Sequence, residues 1–82
     1  MHARSSVTKK QVLADSDYVI GRNLRRICGA RGLSASDLAA LLGRSRRTAE
    51  RMLDGLCNPD LREIASMARQ LRVHLAELLR GL

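Results

Sequence analysis

Between residues 33 and 60 the chain carries helix start and stop signals at short, regular intervals. Ser34 is followed three residues on by Asp37, and Ser45 stands two residues after Gly43. A Ser or Asp side chain satisfies free N–H groups at a helix start, and an acidic residue three positions later completes a capping box. Glycine closes a helix because it enters the left-handed region at little cost. This punctuation predicts a helix over residues 35–42, stopped by Gly43. It predicts another over 46–54, capped by Ser45 and closed by Gly55.

Apolar spacing extends the pattern in both directions. Ile20, Leu24, Ile27 and Cys28 recur at helical intervals and predict a helix over 17–30, capped by Ser16 or Asp17 and ended by Gly32. Arg22, Arg25 and Arg26 lie off that stripe, and Tyr18 is expected to pack at its start. After a loop over 55–59, Asp60 and Glu63 form a capping box for a fourth helix reaching Leu71. Its inner face reads Leu61, Ile64, Ala65, Ala68 and Leu71. A fifth helix over 75–80 carries Leu75, Leu78 and Leu79, with His74 at its cap position. Residues 1–16 read as a basic N-terminal arm with His2, Arg4, Lys9 and Lys10, and Thr8 with Gln11 can cap a short helix through Ala14. The chain thus divides into an arm, 1–16, and a folded domain, 17–82. The expected class is all-α with five short helices.

The residue palette agrees. Tyr18 is the sole aromatic, so the core is built from Leu, Ile, Val, Met and Ala, which suits helices and argues against a β-sandwich. It also removes RNA-recognition sheets and single-strand grooves, which stack bases on several aromatics. At 82 residues there is room for one core. Cys28 falls on the first apolar stripe and Cys57 in a loop. No C-x-x-C pair is present and neither His2 nor His74 has ligand spacing, so no metal is expected. No carboxylate pair, nucleophile–base set or phosphate loop suggests an enzyme, a cofactor or a small-molecule ligand. Residues 1–17 lack the apolar segment of a signal peptide, and the longest apolar run, 38–42, is far short of a membrane span. The expected location is the cytoplasm, with reduced thiols.

Fifteen basic residues against eight acidic ones give a net charge of +7, and thirteen of the fifteen are Arg. Arg binds phosphate and guanine edges bidentately, so the balance points to nucleic acid. The two capped helices flanking Gly43 are a helix-turn-helix. Ala39, four residues before Gly43, is small enough to let them cross closely, with Leu38, Leu42, Ala49 and Met52 sharing one core.

Here the chain resembles the lambda-repressor-like domains, the Cro/CI or XRE-type regulators of bacteria and phages. The resemblance runs from about Ile20 to Leu79. It rests on Leu33, Leu38-Ala39, Leu42-Gly43, Ser45, Gly55, Asn58-Pro59, Leu61, Ala65, Leu71-x-Val73 and Leu75-x-x-Leu78-Leu79. It implies a five-helix fold that binds double-stranded DNA, usually as a transcriptional repressor, such as a small phage Cro-like protein. Three positions depart from the family pattern. Ala35 stands where Gln commonly contacts backbone phosphate, Ala49 where a larger aliphatic is usual, and Arg72 where Gly commonly ends the fourth helix.

A recognition helix of this type enters the major groove with its N-terminal residues at the base edges. That makes Arg46, Arg47, Thr48 and Arg51 the candidate base readers, at about 1–3 kcal/mol of discrimination for each good bidentate pair. Ser34, Ala35 and Ser36 at the start of the preceding helix, with Arg31, Arg44, Ser45 and Asn58, are the candidate phosphate contacts. Arg4, Lys9 and Lys10 are candidate arm contacts. Leu75, Leu78, Leu79 and Leu82 crowd the C-terminus as candidate homodimer contacts. With the chain ending soon after the expected fifth helix, an inducible, self-cleaving repressor is not expected, unless this is a fragment. The alternative is the antitoxin of a toxin–antitoxin pair, binding a partner protein and its own operator. A protein-binding or membrane-surface helical domain is a third reading, disfavoured by the lack of bulky aromatics.

Overall fold

The structure, a computed structural model, describes the backbone of residues 9–82 and the side chains of residues 16–82. Five helices follow in order: α1 Lys9–Arg31, α2 Ala35–Leu42, α3 Arg46–Leu53, α4 Leu61–Leu71 and α5 Leu75–Leu79. Among the described residues there is no strand. The helix-turn-helix pair is α2 and α3, with Gly43 between them.

The first helix is longer than its apolar stripe suggested. It begins at Lys9, so Ser16 and Asp17 lie inside it and do not cap it. No Gly or Pro interrupts the run before Gly21, and Val12, Leu13 and Ala14 are compatible with helix. Lys9 and Lys10, assigned to an arm on composition, belong to the first turn of α1. Arg4 and the expected cap Thr8 lie outside the described residues.

The later helix starts are those the capping signals specify. Ser34 Oγ accepts from the Asp37 N–H at 3.1 Å, and Asp37 Oδ2 accepts from the Ser34 N–H at 2.9 Å. Asp60 and Glu63 repeat this reciprocal pair at 2.8 and 3.1 Å. Ser45 Oγ accepts from the Thr48 N–H at 3.1 Å. His74 precedes α5 but makes no capping hydrogen bond.

The ends of α1 to α4 share one closure. The N–H of Leu33, Arg44, Leu56 and Val73 each donates to a carbonyl five residues earlier, on Cys28, Ala39, Arg51 and Ala68, at 2.8–3.0 Å. This closure places the residue before each donor in the left-handed region. Gly43 meets the requirement freely at φ 67°. Arg72 meets it at φ 57°, which costs about 1 kcal/mol for a residue with a Cβ.

α1 is the spine against which α3 and α5 pack, while α2 packs on α3 and α4, and α4 on α5. Leu24, Leu38, Leu71 and Leu78 are fully buried at the centre, surrounded by Ile20, Ile27, Cys28, Ala49, Met52, Ile64 and Met67. Cys28 is therefore a core residue; burial raises its thiol pKa above the ordinary value, and the nearby Arg31 charge offsets that only in part. Leu61 opens α4 and is 64% exposed, not on the inner face; Met67 faces inward instead. Tyr18 is also outside, at 62% exposed. Its backbone, not its ring, is what packs: a Cβ added to Gly55 would lie 2.9 Å from Tyr18 Cα. One turn along, a Cβ on Gly21 would lie 2.8 Å from Gly55 N and from Met52 O. Gly21 lets α1 touch the end of α3 backbone to backbone.

Polar side chains of α1 tie down the ends of three other helices. Asn23, 2% exposed, donates through Nδ2 to Leu78 O at 2.7 Å and to Arg80 O at 2.9 Å. Arg25 Nε donates to Leu53 O at 2.8 Å, and its Nη2 pairs with Asp54. Arg31 donates to Leu71 O. Arg26 reaches Glu77 Oε1 at 3.3 Å and the Glu77 carbonyl at 3.2 Å. Helix C-termini expose carbonyls that lack intrahelical partners and carry partial negative charge. α1 supplies donors to those ends on α3, α4 and α5.

Candidate nucleic-acid interface

α2 and α3 meet across Leu38, Ala39, Ala49 and Met52, all buried, with Leu42 packed at the edge. The Ala39 side chain is small enough for close approach, and the Gly43 turn sets the angle at which α3 leaves. With Ala49 and Met52 turned inward, α3 projects Arg46, Arg47, Glu50 and Arg51 outward, all exposed. A run of guanidinium groups on one outer helix face is a donor array for phosphate oxygens and base edges.

The four expected base readers differ in their surroundings. The Arg47 side chain has no hydrogen bond or ion pair to any other of the described residues. Arg46 Nε donates to Glu50 Oε2 at 3.1 Å. Arg51 extends a terminal nitrogen to Leu56 O at 3.4 Å, back along the end of its own helix. Thr48 is half-buried; its Oγ1 accepts from Ser45 Oγ at 3.0 Å, and Cys57 Sγ stands 4.0 Å from its carbonyl. Thr48 therefore anchors the start of α3 as well as lining its face.

The expected phosphate contacts separate likewise. The Ser34 N–H is already given to Asp37, whereas the Ala35 and Ser36 N–H groups have no acceptor among the described residues. The Ser34 N–H, and then its hydroxyl, hold the Asp37 carboxyl below the ordinary carboxylate pKa, so it is charged at neutral pH. Ser45 is exposed at the head of α3. Arg44, in the turn, pairs with Glu63 Oε2 at 3.0 Å. Arg44, Thr48 and the exposed Asn58 line one surface depression of about 200 Å³, together with Met52, Cys57 and Glu63. Arg31 is committed first to the Leu71 carbonyl.

The C-terminal leucines do not form one surface. Leu78 is fully buried and is not available as a dimer contact: it fills the centre of the core beneath α1. Leu79 is partly buried against the same core. Leu75 and Leu82 are 36% and 63% exposed.

Three features escaped sequence reasoning. The Arg46–Glu50 pair had a usable signal in its i, i+4 spacing. The Arg44–Glu63 pair joins residues 19 apart and had none. Arg62, which with Arg44 and Arg69 edges a groove of about 300 Å³ floored by Leu42, Met52 and Met67, had none either.

Among the described residues no three His, Cys, Asp or Glu side chains come together as metal ligands, and no helix is long and apolar enough to cross a membrane. A family model described as a helix-turn-helix domain matches residues 19–80. No curated protein and no solved structure matches the chain.

Proposed function

Starting from the premise that the chain belongs to the helix-turn-helix family and is a DNA-binding regulator, we propose that it reads a specific operator through the major groove and acts as a Cro-type repressor. One observation carries the reading: the outer face of α3 presents Arg46, Arg47 and Arg51 to solvent on a helix packed against α2 across the Gly43 turn. In this reading Arg47 and Arg46 take guanine edges, which predicts G·C pairs at the contacted positions. Arg51 and Thr48 complete the contact, by base or by phosphate. The Ala35 and Ser36 N–H groups, Arg44, Ser45 and Asn58 hold backbone phosphates on either side. Arg4, with Lys9 and Lys10 at the start of α1, adds cations to the contact. Of the four C-terminal leucines, Leu75 and Leu82 are exposed and would supply contacts for a homodimer on DNA, which would require half-sites about one helical turn apart. The protein would act in the bacterial cytoplasm.

The test is selection of binding sites from a random duplex library at about 150 mM salt, where binding through phosphates alone is weakened. The reading predicts an enriched motif containing G·C pairs, whose symmetry reports monomer or dimer. A folded protein that enriches nothing would overturn sequence-specific repression and favour an antitoxin that needs its partner.

A further inference from the structure

Glu50 is the one carboxylate on α3, and it stands on the outer face among three arginines. Any carboxylate on a surface that approaches DNA is opposed by phosphate charge. A role for it has to come from what it touches. Its Oε2 accepts from Arg46 Nε at 3.1 Å, and the side chains of the pair are 48% and 71% exposed. A guanidinium offers two usable edges, one made by Nε with a terminal nitrogen and one made by the two terminal nitrogens. Glu50 occupies the first. The second stays available, and two parallel donors are what guanine O6 and N7 accept.

We infer that Glu50 is a positioning residue for base recognition: it holds Arg46 with its terminal nitrogens presented outward, fixing which base pair that arginine reads. The inference rests on the reading of α3 as the recognition helix. Arg has a long side chain with many rotamers, and ordering it before binding removes a cost that association would otherwise carry. Ordering also excludes alternatives. An unpaired Arg46 can swing to the nearest phosphate, where it adds affinity for any sequence and discriminates nothing. Glu50 blocks that swing in two ways, by engaging Nε and by adding a negative charge that phosphates repel. It therefore trades general affinity for selectivity, and the two effects have opposite signs in one variant.

The experiment compares the native protein with Glu50→Ala, Arg46→Ala and the double variant on a selected duplex, on single-base-pair variants of it, and on an unrelated duplex. Ala is a strong helix former, so α3 is retained. Arg46→Ala should relax preference at one base pair by about tenfold or more. Glu50→Ala should relax the same base pair by about three- to tenfold while raising affinity for the unrelated duplex about two- to fivefold. The double variant should lose no more preference than Arg46→Ala alone. Glu50→Gln, which keeps an acceptor without the charge, should restore part of the preference but not the lower general affinity. If Arg46→Ala relaxes one base pair and Glu50→Ala raises affinity equally for all duplexes, the positioning role is wrong and base reading by Arg46 stands. If Glu50→Ala relaxes a different base pair, Glu50 reads a base itself and the inference is overturned. If Arg46→Ala changes no base preference, the reading of Arg46 fails and the inference with it.

Discussion

Arg25 on α1 and Arg47 on α3 are both exposed, and what surrounds them differs. Arg25 gives Nε to the Leu53 carbonyl at 2.8 Å and Nη2 to Asp54. Arg47 makes no such contact among the described residues. The contrast extends along both helices. Arg26 and Arg31 close onto Glu77 and the Leu71 carbonyl, whereas Arg46 holds only a neighbour on its own helix and Arg51 only a long contact to Leu56. Arg22 is the exception on α1, with no partner among the described residues. Among the described arginines, some thus close helix ends on carbonyls while others, such as Arg47, have no such partner. Charge count alone does not separate them; the carbonyls they meet do.

The sharpest way to break this comparison is at Asn23, the buried member of the α1 set. Asn23→Ala removes two donors from the end of α5 and leaves the Leu78 carbonyl buried without them. Stability should fall by about 2–3 kcal/mol, read by urea denaturation. The variant that remains folded should keep its base preference. A change in preference without a loss of stability would dissolve the division.

Arg47→Ala and Arg25→Ala form the next pair, with opposite expected profiles. Arg47→Ala should leave stability within about 0.5 kcal/mol and weaken the cognate duplex by about 1–3 kcal/mol, with relaxed preference at one base pair. Arg25→Ala should cost about 0.5–1 kcal/mol of stability, modest because the ion pair is exposed, and should shift no base preference. Parallel binding and melting measurements on the two proteins decide it.

The smallest effect concerns the α2 cap. Asp37 has a folded pKa below the ordinary value of about 3.9. Its contribution is therefore complete above that value and is lost as pH falls through the lower folded one. Comparing melting temperatures of the native protein and Asp37→Asn from pH 5 to pH 2 should show a gap that narrows only below about pH 4.

Much of the architecture was legible because local chemistry specified it. Ser34–Asp37, Ser45 and Asp60–Glu63 marked the starts of α2, α3 and α4, and Gly32, Gly43 and Gly55 marked ends. The continuity of α1 was not legible: Thr8 with Gln11 marks a helix start near Lys9, but Ser16 and Asp17 also resemble caps although nothing before them stops a helix. Side-chain type alone puts Leu61 inside and Tyr18 against the start of its helix, because it does not report where backbones touch. Gly21 shows the same limit: it matters only because Gly55 lies against it, 34 positions away in sequence. The exposure of Arg46, Arg47 and Arg51 on α3 was legible from spacing. The Arg46–Glu50 pair has its signal in the i, i+4 spacing, whereas the Arg44–Glu63 pair and the commitment of Arg31 to Leu71 depend on tertiary placement.

The most direct test of the division of cations is a titration of the isotope-labelled protein with a selected duplex, followed by amide and guanidinium NMR signals. The account predicts that Arg46, Arg47 and Thr48, with the Ala35 and Ser36 amides, shift on binding, while Arg25, Arg26 and Arg31 hold their free-state positions. Shifts concentrated on Arg25, Arg26 and Arg31, with the α3 signals unmoved, would contradict it.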